Sequence, residues 1–380
     1  MRQIPYVQYS PNFSFLMGSS CLNIQALTFQ QTDIANTSYV NWVRSLTNSN
    51  GTTYRYVFSP PFESDKPYLM FLHGFPESSY EWRYQIEYFK EQGYGIIAPD
   101  LLGYGGTDSP SDLASFSYKN MVSDLSQLLD CEKIDKVVGI SHDFGSSLLS
   151  RFITYESDRL LAVAFLDIGY VPPGTVLDEM TVTALNNATL NSLGYTLYGY
   201  WVFHNEDDAA SIIDTHLDSF FSLVYTYNMT YWKEFFTPLG EFKQWLLDDR
   251  RAPVGKFSTT QVSEQWKSIM RAQGGLDGPL KWYKSSMRGI NRADEEAVRS
   301  VSATIQQPVL LILADQDPVG IPSSQLNLTV PYAPNLTVRS INSGHFVEVE
   351  APQEVNKHLD CFLQTALRTP PGDFVPIDCT

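Results

Sequence analysis

The sequence predicts an α/β fold in which a mostly parallel sheet, flanked by helices, is interrupted once by a helical insertion. Three observations carry this. From about residue 52 short apolar runs alternate with amphipathic stretches, the rhythm of strand and helix units. After Pro172-Pro173 that rhythm stops until about residue 300. It resumes with a further apolar run at Val309. With 380 residues, 43% of them hydrophobic, the chain can bury one large core that carries an inserted subdomain.

The expected strands are Tyr54–Phe58, Tyr68–Leu72, Gly95–Ala98, Lys136–Ile140, Leu161–Leu166, Val309–Ala314 and Leu336–Ser340. Met121, Leu125, Leu128 and Leu129 recur at helical spacing, so Ser117–Asp130 reads as a helix covering the core. The chain divides into residues 1–50 (an N-terminal extension and the edge of the core), 51–172 (the first part of the core), 173–300 (a helical lid) and 301–380 (the rest of the core and a C-terminal tail). The first 30 residues give no assignment. In the insertion, Asn205-Glu206-Asp207-Asp208 before an apolar run reads as an acidic helix start. Trp201, Trp232, Trp245, Trp266 and Trp282, five of the seven tryptophans, fall there, which suits a lid over a largely apolar pocket.

Composition excludes several function classes. A formal net charge of -16 repels phosphate backbones and anionic membranes, so nucleic acid is not an expected partner. No apolar stretch approaches the roughly 18 residues that a bilayer span requires, and the N-terminus shows no signal peptide, which makes an intracellular site the default. Against that default stand seven sequons, at Asn12, Asn36, Asn50, Asn187, Asn228, Asn327 and Asn335, which suit a secreted protein. Cys21, Cys131, Cys361 and Cys379 show no metal-binding spacing. A Cys361–Cys379 bridge would tie down the tail, but a reducing compartment favours free thiols.

The chemistry is concentrated in Val137-Val138-Gly139-Ile140-Ser141-His142-Asp143-Phe144-Gly145. A β-branched run ends at Ser141, and small residues, Ser141 and Gly145, flank Asp143. A sharp strand-to-helix turn needs such residues, because the backbones crowd there and the central residue is strained. The turn presents a carboxylate where most hydrolases of this shape hold serine. An aspartate is ionised at neutral pH and can displace a leaving group from saturated carbon. The product is an alkyl ester of the protein, so a base is needed in the second step, to activate water.

That base is His345, in Asn342-Ser343-Gly344-His345-Phe346 after the last strand. Its partner acid is expected after the preceding strand, in Asp315-Gln316-Asp317-Pro318; a carboxylate there sets the imidazole tautomer. The order nucleophile, acid, histidine is that of the strand–turn–helix nucleophile turn. His73-Gly74-Phe75-Pro76 follows the strand Tyr68–Leu72 and supplies one oxyanion donor, the Phe75 N–H, with the Phe144 N–H as the second. The remaining histidines, His73, His142, His204, His216 and His358, read as structural or exposed, with His73 bracing its loop.

These segments resemble the soluble epoxide hydrolases of the α/β-hydrolase superfamily. The resemblance runs from about Arg55 to Ala366, through HGFPESSYEWRYQI (73–86), APDLLGYGGTDSP (98–110), GISHDFG (139–145), ADQDPV (314–319) and GHFVEVEAPQEVN (344–356). It implies an α/β-hydrolase fold and two lid tyrosines that hydrogen-bond the epoxide oxygen. The pattern GPLxWY places one at Tyr283. The other lies in Gly194-Tyr195-Thr196-Leu197-Tyr198, where Tyr195 aligns best and Tyr198 and Tyr200 stay open. The family spacing favours Asp317 over Asp315, and Asp167 is a fallback acid because some dehalogenases place theirs there. Leu102 replaces the family's usual arginine. His73, Trp82, Trp282 and Phe346 are the expected pocket residues.

The expected substrate is a lipophilic epoxide, with water as the only cosubstrate and no cofactor or metal; a homodimer is admitted. The alternative is a haloalkane or haloacid dehalogenase with the same Asp nucleophile. Phe144 argues against it, since a halide leaving group wants an indole N–H after the nucleophile, although Trp82 follows the HGFP loop. A non-catalytic binding protein of the same fold, and an esterase, are further alternatives.

Overall fold

The computed structural model describes residues 22–26 and 42–368. A nine-stranded sheet runs through it: β1 (Leu22–Ala26), β2 (Val43–Thr47), β3 (Thr53–Ser59), β4 (Tyr68–Leu72), β5 (Gly95–Pro99), β6 (Val137–His142), β7 (Leu160–Leu166), β8 (Val309–Ala314) and β9 (Leu336–Ile341), in the order β1-β2-β3-β5-β4-β6-β7-β8-β9. The first three strands join antiparallel; β5, β4, β6, β7, β8 and β9 are parallel. The expected α/β-hydrolase sheet is present, with every expected strand matched to within two residues. The two strands missed, β1 and β2, are short antiparallel additions at one edge. In β2 Arg44 and Ser45 interrupt the apolar pattern, and Arg44 is partnered by Glu132 at 2.7 Å.

The central strands are apolar on both faces because helices cover both. β6 and β8 are buried along their whole length. Helix α1 (Arg83–Glu91) and the helix Pro352–Ala366 cover one face; α2 (Tyr118–Cys131) and α3 (Phe144–Glu156) cover the other. Ser117 is the cap of α2 rather than its first residue, accepting the Asn120 N–H, as a hydroxyl at a helix start does. Between β7 and β8 the chain forms helices from Glu179–Leu193 to Arg292–Val298, with one isolated bridge, Thr226 to Val254. The apolar run after the acidic turn is two helices, Ala209–Thr215 and Leu217–Val224. Among the described residues no helix is long and apolar enough to cross a membrane.

Strand order reverses between β5 and β6, which flank β4 on opposite sides. In open parallel sheets such a reversal opens a crevice at the carboxyl ends of the strands. The chain places Phe75, Asp143, Asp167, Asp317 and His345 after the carboxyl ends of β4, β6, β7, β8 and β9 respectively.

The free-thiol expectation is corrected. Cys131 and Cys361 are both disulfide-bonded, and no described cysteine is free; Cys21 and Cys379 lie outside the described residues. Asn50, Asn187, Asn228 and Asn327 are exposed and Asn335 is half-buried, while Asn12 and Asn36 lie outside the described residues. Dithiothreitol is expected to lower the thermal midpoint, since a native disulfide contributes about 2–4 kcal/mol. An unchanged midpoint in scanning calorimetry would count against the bridges.

Candidate active site

Asp143 follows β6 directly and opens α3, at φ 47° and ψ −122°. This conformation is strained for a residue with a side chain, and the surroundings impose it. A Cβ on Gly145 would lie 2.1 Å from the Leu72 carbonyl oxygen, and one on Gly74 would lie 2.4 Å from Asp143 Cβ. Both glycines are therefore required by close approach. Ser141 is buried, its hydroxyl 3.1 Å from that of Ser146. Gly145→Ala is expected to destabilise the fold by about 1–3 kcal/mol, as overpacking does, and to displace Asp143. An unchanged denaturation midpoint would contradict this.

The two Asp143 oxygens face different groups. Oδ1 accepts the Phe75 N–H at 2.9 Å, and Oδ2 lies 3.8 Å from His345 Nε2. On the far side of the ring, His345 Nδ1 lies 2.7 Å from Asp317 Oδ2 and 2.8 Å from Asp167 Oδ2. Burial lowers the affinity of the imidazole for a proton, but Asp317 and Asp167 outweigh it and hold its pKa well above the usual histidine value. Burial alone would raise Asp317; the adjoining imidazole instead brings it down to about 2. The loop that carries His345 is held from behind, where His142 Nε2 donates to the His345 carbonyl at 2.8 Å. Asp315 points elsewhere, bonding Ser340.

A cavity opens over these groups, lined by Phe75, Pro76, Asp143, Tyr200, Val224, Trp232, Phe236, Tyr283, Val319, His345 and Phe346. Its walls are aromatic and aliphatic apart from the carboxylate, the imidazole and two phenols. Burial, followed by the neighbouring Tyr200 and Asp143, holds the Tyr283 phenol well above its usual pKa; burial and Asp143 do the same for Tyr200. Both therefore stay protonated and can donate. A carboxylate with one oxygen on a backbone donor and the other beside an imidazole can attack an electrophilic carbon. The imidazole, oriented by a carboxylate, can then activate water.

Residues 67–352 match the family model described as the alpha/beta hydrolase fold. The chain belongs to the α/β-hydrolase fold family. It is 25% identical over 311 residues to the bifunctional epoxide hydrolase 2 of Rattus norvegicus, covering 80% of this chain and 53% of that protein. The chain thus spans about half the length of that relative. It is 29% identical to epoxide hydrolase 3 of Siraitia grosvenorii, over 78% of this chain and 92% of that protein. The crystal structure of epoxide hydrolase A from Mycobacterium thermoresistibile superposes with a TM-score of 0.69 at 26% identity, covering 85% of this chain and 98% of that one. The relatives agree with the resemblance drawn from the motifs.

Within this hydrolase fold several expected pocket positions need correction. Tyr195 does not reach the cavity: its hydroxyl donates to the Pro318 carbonyl at 3.1 Å. Tyr200 lines it instead, on the helix Gly199–His204. That helix is drawn in because Gly199 packs on backbone; a Cβ there would meet the Thr237 carbonyl oxygen at 2.2 Å. Trp82 is fully buried on the opposite face of the sheet, 5.2 Å from Phe71 between ring centroids. Trp282 lies behind Phe144, its indole N–H bonded to the Leu102 carbonyl at 2.8 Å. His73 links two loops, with Nδ1 2.9 Å from the Gly74 carbonyl and Nε2 accepting the Leu101 N–H at 2.9 Å. Burial lowers its pKa to about 4, so it is neutral. Phe346 does line the cavity. The sequence reading missed Trp232 and Phe236 as wall residues. No local signal marks them, since aromatics recur throughout the insertion.

Proposed function

We propose that this chain is an epoxide hydrolase acting on a lipophilic epoxide through a covalent ester. Asp143 Oδ2 attacks a ring carbon and the C–O bond breaks. Tyr200 and Tyr283 donate hydrogen bonds to the departing oxygen, and one of the two phenols gives it a proton, so that it becomes a hydroxyl and the phenol a phenolate. Asp143 Oδ1 becomes the ester carbonyl oxygen. His345 then removes a proton from water, which attacks the ester carbon. The oxyanion at Oδ1 is held by the Phe75 N–H and, on this reading, the Phe144 N–H. Collapse breaks the bond between the Asp143 carboxyl carbon and the substrate oxygen, which takes the imidazolium proton to complete the vicinal diol; the second proton of the water, left on the regenerated carboxyl, restores the phenol. Asp317 orients the imidazole throughout. The single observation that supports the reading is that two phenols line the same cavity as a carboxylate with one oxygen on the Phe75 N–H and the other beside His345. The names of the relatives support it.

The apolar walls favour a lipophilic substrate, and Phe144 lacks the indole donor that a halide would use. Trp232 does not fill that place, because its N–H is bonded to the Leu223 carbonyl at 2.9 Å. One observation favours a dehalogenase: the buried Trp201 indole N–H has no well-aligned hydrogen-bond acceptor among the described residues, and the ring packs on Phe144 and Tyr283. A single turnover with racemic styrene oxide in ¹⁸O-labelled water tests both. Label entering Asp143 before it enters the diol is the expected result. No diol from styrene oxide or from lipid epoxides, together with halide release from chloroalkanes, would favour the dehalogenase.

A further inference from the structure

We propose that Asp167 and Asp317 act on His345 as one proton-sharing pair, Asp317 as the carboxylate and Asp167 as the neutral acid that can replace it. This rests on the reading of His345 as the base, although one test below does not. β7 and β8 are adjacent, with Leu166 in register with Ile312. The loops that follow them therefore bring two carboxyl groups to one ring nitrogen, at 2.8 and 2.7 Å.

One N–H cannot satisfy both. It is directed at Asp317 Oδ2, and Asp317 Oδ1 also accepts the Val319 N–H at 2.7 Å. Asp317 thus has the donors that suit an anion. Neither oxygen of Asp167 receives a well-aligned donor from His345 or the backbone, and its side chain is 0% exposed. A second anion there would be buried, unsolvated and beside the first. A proton on Asp167, donated to Asp317, removes the conflict, since an Oδ2 of each carboxyl lies within 2.8 Å of the same ring nitrogen. Burial, then the Asp317 charge, hold the Asp167 carboxyl well above its usual pKa, in agreement.

The fold makes room for this second acid. Asp167 adopts φ 61°. It faces Gly320, where a Cβ would lie 2.6 Å from both carboxyl oxygens. The arrangement has two consequences. On its Nδ1 side the imidazolium meets a single negative charge, and a spare acid stands beside the one in use. If Asp317 becomes an amide, Asp167 loses its proton to solvent and orients His345 in its place. Asp167 is a positioning residue, since it acts through His345.

Two measurements test the pair. Infrared difference spectra at pH 7 are expected to show the same protonated-carboxyl band lost in Asp167→Asn and in Asp317→Asn, because the acid that remains is ionised in each. A band retained in Asp167→Asn overturns the proposal. This needs no substrate and only one of the two variants to fold. The second measurement is single-turnover hydrolysis of the ester formed from styrene oxide. Asp317→Asn is expected to slow it about 10-fold, and Asp167→Asn/Asp317→Asn by roughly 10⁴, the loss seen when the orienting carboxylate is removed. Asp317→Asn as slow as the double variant overturns the proposal. If no epoxide alkylates the wild type, the epoxide reading fails and the infrared result still decides the pair.

Discussion

Replacing His345 with glutamine is expected to stop turnover while leaving the first step intact. Asp143 is positioned by β6, α3 and the Phe75 N–H, none of which involves the imidazole. One substrate equivalent should therefore add to the protein and remain there as an ester on Asp143, visible by intact-mass spectrometry. Steady-state turnover should fall by about 10²–10⁴, the contribution of a positioned general base. The same logic sets the pH dependence. Water activation needs the neutral imidazole, and the carboxyl pair raises the pKa of His345 above its ordinary value. Ester hydrolysis in the wild type should accordingly rise with pH, with its midpoint above that of a free histidine. Alkylation by Asp143 should not share that limb. A His345→Gln variant that turns over without accumulating adduct would remove the two-step scheme.

The second large effect concerns the phenols. Tyr200→Phe and Tyr283→Phe should each slow ester formation by roughly 10²-fold, as loss of a donor to developing charge does. The double variant should lose epoxide opening almost entirely, because an expelled alkoxide would then have no proton donor in an apolar cavity. Tyr195→Phe should leave activity near the wild-type level, since that hydroxyl is engaged with the Pro318 carbonyl. Pre-steady-state adduct formation measures all four variants. Equal losses in Tyr195→Phe and Tyr200→Phe would reverse the assignment between them. If the double variant kept halide release from a chloroalkane while losing diol formation, the cavity would be shown to support both chemistries.

The parts of this protein that were legible in the sequence are those governed by local rules. Strands buried on both faces are continuous apolar runs, so β4 and β8 matched residue for residue; small residues at a crowded turn mark Asp143 in the sequence alone. His345 and the loop of its partner acid followed from chain order, because each lies in the loop after a parallel strand; the choice of Asp317 over Asp315 came from the family spacing, and Asp317 is the one that meets His345 Nδ1. What only the tertiary structure decided depends on which elements approach one another. Tyr195, Tyr198 and Tyr200 occur within six residues, and no local pattern ranks them. The approach of Gly199 to the Thr237 carbonyl does, by bringing the helix of Tyr200 over Asp143. Trp82 and Trp282 look like pocket residues in sequence because their motifs adjoin the site, yet one faces the other side of the sheet and the other spends its donor on Leu102. Asp167 appeared only as an alternative to Asp317. The convergence of both on one nitrogen arises from adjacent strands separated by more than 140 residues of chain, a contact that local sequence does not encode.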